Sequence, residues 1–73
     1  MPRTPRLTGA DLVRAFCRLG FEVVGQRGSH VRLRRGSGPF VIVPVHAGKI
    51  IGQGLLGAIL DQAGVTVDEL RHA

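Results

Sequence analysis

Apolar residues first recur at helical spacing, at Leu12, Val13, Phe16, Cys17 and Leu19. Before them, Thr8-Gly9-Ala10-Asp11 has the spacing of a capping box, and Gly20 follows where a left-handed terminal residue belongs. These signals predict a helix over about 9–19. The period then drops to two. Phe21 and Val23 alternate with Glu22 and Val24, predicting a strand to about Gln26, and Arg27-Gly28-Ser29 reads as a turn. In the next stretch Val31 and Leu33 share one side of a strand, while His30, Arg32 and Arg34 share the other. Gly36-Ser37-Gly38-Pro39 predicts a second turn, and Phe40-Val41-Ile42-Val43 a third strand closed by Pro44, which cannot donate to a ladder. Val45 to Gly52 reads as a loop holding His46 and Lys49. Leu55, Leu56, Ile59, Leu60 and Ala63 mark a second helix ended by Gly64, and Thr66-Val67-Asp68-Glu69 caps a short last helix to about Arg71.

The element order is α-β-β-β-α(-α). Short turns make the strands an antiparallel meander, and the apolar faces call for helices on one side of it. The expected class is therefore α+β, close to the double-stranded-RNA-binding domain. At 73 residues the chain makes one domain, 1–73, with Met1–Leu7 as an extended lead-in. At this size folding buries only about 60% of the unfolded surface, so the core must be small. Cys17, the single cysteine, is expected as a small buried hydrophobe on the first helix, in keeping with a reducing compartment. No run approaches the roughly 20 apolar residues of a membrane span, and the first residues lack the apolar segment of a signal peptide. The expectation is a cytoplasmic protein, monomeric when free and without a membrane partner.

Charge sharpens this picture once mapped. The net charge is +5, and residues 23–60 hold Arg27, Arg32, Arg34, Arg35 and Lys49 with no Asp or Glu. The remaining residues sum to zero, so the whole excess lies in the middle of the chain. That implies a polyanionic or acidic partner. Within it, one strand face carries a histidine, able to take and give a proton near neutral pH, beside arginine forks that fit phosphate oxygens. This is the outline of a site acting on nucleic acid, and a ribonuclease is the leading reading. Two-metal nucleases hold their ions with carboxylates, which this stretch lacks, so no metal or cofactor is expected. RNA supplies its own nucleophile, the 2′-hydroxyl. His30 could remove its proton, and Arg32, Arg34 or Lys49 could stabilise the added charge, leaving a 2′,3′-cyclic phosphate.

The chain resembles the HicA family of bacterial toxins. The resemblance runs through Gly28-Ser29-His30, Val43-Pro44-Val45-His46, Lys49, Gly54, Ile59-Leu60, Gln62-Ala63-Gly64 and Asp68-Glu69-Leu70, in the family's order and spacing over about 9–70. It implies a fold similar to the double-stranded-RNA-binding domain, cleavage of mRNA with His30 as the catalytic residue, and a HicB-type antitoxin as partner. The chain departs from the family's pattern at Leu55, Leu56 and Gly57, where a threonine and an arginine usually follow the glycine that opens the second helix.

Several residues have more than one reading. Gly28 could supply a positive φ or close approach to a phosphate, or simply punctuate the turn. Ser29 could donate to phosphate or cap the turn. Arg32 and Arg34 are expected RNA contacts, as is Lys49, and His46 could contact RNA or serve as a second proton-transfer group. A zinc site from His30, His46 and Cys17 has no ligand spacing to support it. Two other classes stay open: an RNA-binding module without catalysis, and an inactive protein-interaction domain whose basic face meets an acidic partner.

Overall fold

The computed structural model describes residues 5–73. The expected lead-in falls in part on 1–4, outside the described residues, and Pro5–Leu7 form neither helix nor strand. The elements are α1 (Gly9–Arg18), β1 (Glu22–Arg27), β2 (His30–Arg34), β3 (Val41–Pro44), α2 (Gln53–Ala63) and α3 (Val67–Arg71). The strands form one antiparallel sheet in the order β1-β2-β3, so the fold is α+β with a three-stranded meander as expected.

Both helices that cover the sheet stop where their sequences say they should. In α1 the N–H of Phe21 donates to the Phe16 carbonyl at 3.0 Å while Gly20 takes φ +96°. The same 6→1 closure ends α2, with Val65 donating to Leu60 at 3.0 Å and Gly64 at φ +69°. In each case the residue after the glycine is buried against the last turn, the hydrophobic contact that accompanies this motif. The Phe16 and Phe21 rings lie 4.9 Å apart. One layer of side chains makes the core: Leu12 and Phe16 of α1, Val31 and Leu33 of β2, Val41 and Val43 of β3, Leu56, Ile59 and Leu60 of α2, with Ile51, Val65 and Leu70 around them. Polar residues are absent from it among those described.

Gly9 is buried at the start of α1 for a reason its sequence position does not advertise. A Cβ there would stand 2.1 Å from the carbonyl oxygen of Pro44 and 2.8 Å from Cα of Val45. Only hydrogen fits. The close approach lets α1 pack directly on the end of β3, beside the loop that carries His46.

Three expectations need correction. Cys17 is exposed, because it lies about 100° round the helix from the inward-facing Phe16 and off the Leu12–Ala15–Phe16 stripe. β1 does not alternate between core and solvent: all its residues are exposed, with Val23 and Val24 each about half accessible. Pairing passes from Val23↔Leu33 to Gly25↔Arg32, so Val24 is an extra residue, a β-bulge on an edge strand. Phe21, the apolar residue that belongs to the core, sits just before the strand. Phe40 likewise lies outside β3, in the turn, and is exposed.

Both capping boxes form. Asp11 Oδ2 accepts from Thr8 N–H at 3.1 Å, and Glu69 Oε1 from Thr66 N–H at 3.0 Å. These backbone hydrogen bonds are the main reason both carboxyls are held below their ordinary pKa. Carboxyls whose folded pKa is lowered stabilise above the unfolded value of about 4 and lose that contribution as pH falls through the folded one. The melting temperature should therefore drop on acidification below about pH 4, and D11N/E69Q should flatten part of that drop in thermal melts followed by circular dichroism.

Candidate functional site

Helices cover one side of the sheet, and the other side is open. The centre of that open face is set by the hairpin between β1 and β2. Arg27 pairs with His30, leaving Gly28-Ser29 as a two-residue loop. Gly28 has φ +58° and no non-glycine residue among those described has positive φ, which fits a type II′ turn with glycine at its first central position. A Cβ on Gly28 would meet nothing within 4 Å, so the backbone angle, not crowding, calls for glycine there. The turn delivers His30 to the first position of β2. Directly paired residues share a face, so Arg27 and Gly25 of β1 lie on the side of His30 and Arg32.

These residues line a groove of about 660 Å³, formed by Val24, Gly25, Gln26 and Arg27 of β1, His30 and Arg32 of β2, and Ile42 of β3. Two features suit it to a polyanion with flat apolar groups. Its charged lining is cationic, with no carboxylate among the residues named. Its walls also include exposed aliphatic side chains, Val24 and Ile42. Among the described residues the His30 ring has no hydrogen-bond or ion-pair partner, so both nitrogens are available to a ligand.

The structure separates the other candidates. Arg34 does not line the groove: its Nε donates to the Gly38 carbonyl at 2.9 Å, and its guanidinium lies 4.8 Å from the centre of the Phe40 ring. Arg35 belongs to the opposite face, donating to the Leu19 carbonyl at 3.2 Å with its guanidinium over Phe21. Ser29 uses its backbone, accepting from Val45 N–H at 2.6 Å, which ties the chain leaving β3 to the hairpin. His46 and Lys49 follow in an exposed turn closed by Lys49 N–H to the His46 carbonyl at 3.0 Å, with Gly48 at φ +73°. Neither lines the groove. Among the described residues, no three His, Cys, Asp or Glu come together as a metal-holding group.

Sequence reasoning does not place three residues where the structure does. Arg27 reads as part of the turn, yet a two-residue Gly-Ser loop pairs it with His30. Gly25, set opposite Arg32, leaves the groove floor open because it has no side chain. Phe40 reads as the first residue of the third strand, with only the preceding Pro39 to hint otherwise.

A small α+β domain presenting histidine and arginine on an uncovered sheet face is the class of protein these features define. The family model described as HicA toxin of bacterial toxin-antitoxin matches residues 9–65. The chain belongs to the HicA toxin family, and its role is that of a toxin paired with an antitoxin. No curated protein matches the chain.

Proposed function

We propose that this toxin is a metal-independent endoribonuclease acting on mRNA, with His30 as its general acid/base. The observation that carries this reading is the His30 ring, unpartnered in a groove whose charged neighbours are Arg27 and Arg32. With an RNA phosphodiester in the groove, a neutral His30 accepts the proton of the 2′-hydroxyl. The 2′-oxygen forms its bond to phosphorus as the bond to the 5′-oxygen breaks, and that oxygen takes a proton from water. The products are a 2′,3′-cyclic phosphate and a 5′-hydroxyl. Arg32 meets the charge that builds on the phosphoryl oxygens, and Arg27 holds the adjoining backbone. The lining offers no carboxylate to hold a divalent ion, so the reaction should run without one.

The partner is a HicB-type antitoxin that covers the groove. A cationic face is matched by acidic side chains, which mainly speed association, while apolar contacts such as those to Val24 and Ile42 set residence time. RNA and antitoxin then compete for the same residues.

Gly25 offers a direct test. A Cβ at this position meets nothing within 4 Å and its φ is not positive, so G25F should fold with an unchanged melting temperature while its ring fills the groove. Cleavage of labelled RNA should fall at least about 100-fold, the scale of a displaced reacting group. A folded G25F that cleaves like wild type would show that the groove is not the site.

A further inference from the structure

Phe40 is the least expected residue on the open face. It is 41% exposed, it stands outside the β3 ladder, and two guanidiniums lie over its ring, Arg32 at 4.4 Å and Arg34 at 4.8 Å from the centroid. Two like charges converge there without an acidic partner in contact with either among the described residues. The π face supplies the attraction instead. The turn between β2 and β3 is built to bring the ring into place. Gly36 takes φ +56°, Gly38 N–H donates to the Arg35 carbonyl at 3.0 Å, and the Gly38 carbonyl is then held by Arg34 Nε at 2.9 Å. Arg34 thus fastens the turn that carries the ring, and the ring in turn lies against Arg32.

We propose that Phe40 is a positioning residue: its ring orders the Arg32 guanidinium on the open face, beside the groove that Arg32 lines, ready for the charge that develops on a bound phosphodiester. This rests on the ribonuclease reading for its catalytic consequence, though not for the ordering of Arg32 itself. An arginine side chain free in solvent samples many rotamers, and fixing it before the reaction removes reorganisation from the chemical step. Phe40 touches no reacting atom. Its effect passes through Arg32, so removing the ring should matter only while Arg32 is present.

The test compares F40L, which keeps an apolar side chain without the π face, with F40Y, which restores it. In F40L, kcat for RNA cleavage should fall about tenfold with KM nearly unchanged, and F40Y should stay within about twofold of wild type. F40L added to R32A should cause no further loss. In parallel, NMR relaxation of the Arg32 Nε–Hε group should report an ordered side chain in wild type and F40Y and a mobile one in F40L. A wild-type kcat in F40L, or a further tenfold loss in F40L/R32A, would overturn the proposal. Should the wild-type protein cleave no RNA, the ribonuclease reading fails, and the NMR comparison decides the ordering alone: an Arg32 equally mobile in wild type and F40L overturns it.

Discussion

His30→Ala should abolish RNA cleavage and the growth arrest caused by expressing the chain, with the fold unchanged. His30 is exposed, stands at the first position of β2, and its ring makes no hydrogen bond among the described residues. Its removal therefore takes away little packing, and surface substitutions of that kind usually shift stability by less than about 0.5 kcal/mol. Catalysis is another matter, because His30 is the one histidine among the residues lining the groove, and imidazole is the side chain suited to taking and giving a proton. Loss of a positioned acid–base group costs about 10²–10⁴-fold in rate. Cleavage assays beside thermal melts read both quantities. A folded H30A that retains wild-type activity would remove His30 from the mechanism, and an unfolded one would make the histidine structural.

Gly9→Ala should have the opposite signature, losing stability rather than the chemistry. The added methyl would stand 2.1 Å from the Pro44 carbonyl oxygen, and its three nearest neighbours are all backbone atoms that cannot rotate aside. Either α1 moves off the end of β3 or the β3–α2 loop shifts, and each breaks packing in the single core layer. Overpacking of this kind costs about 1–3 kcal/mol and sometimes more. Domains of this size have total stability on the order of 5 kcal/mol, so the upper part of that range would remove about half of it or more. Urea denaturation should show a midpoint lowered to match. Gly57→Ala serves as the control, since a Cβ at that exposed α2 position meets nothing and alanine favours the helix.

Much of this architecture is legible in the chain because local rules and global packing agree. Val31 and Leu33 alternate with His30 and Arg32, so burying the first pair leaves the second on one open face. Thr8 and Thr66 each stand three residues before an acid, and both boxes form. The failures have specific physical causes. Cys17 fits a loose count of helical apolar positions but falls outside the arc that touches the sheet. β1 shows apolar residues that suggest burial, yet it is an edge strand with a bulge, and Phe21 before it supplies the core contact. Gly9 cannot be read locally at all, since its constraint comes from Pro44, 35 residues away in sequence. In the site, strand alternation groups His30, Arg32 and Arg34, and both guanidiniums lie over Phe40, but Arg34 is also tied to the Gly38 carbonyl and only Arg32 lines the groove with His30. His46 and Lys49 share a loop, and nothing in their spacing could say that the loop lies outside the groove.

The proposed removal of a 2′-hydroxyl proton by His30, with the RNA supplying its own nucleophile, would leave a particular chemical trace. The most direct measurement is end-group analysis of labelled RNA after incubation with the purified protein in excess EDTA, run beside H30A. The account predicts fragments ending in 2′,3′-cyclic phosphate with 5′-hydroxyl partners from the wild type, undiminished by the chelator, and none from H30A. Fragments bearing 5′-phosphates and 3′-hydroxyls, formed only when Mg²⁺ or Mn²⁺ is restored, would contradict it.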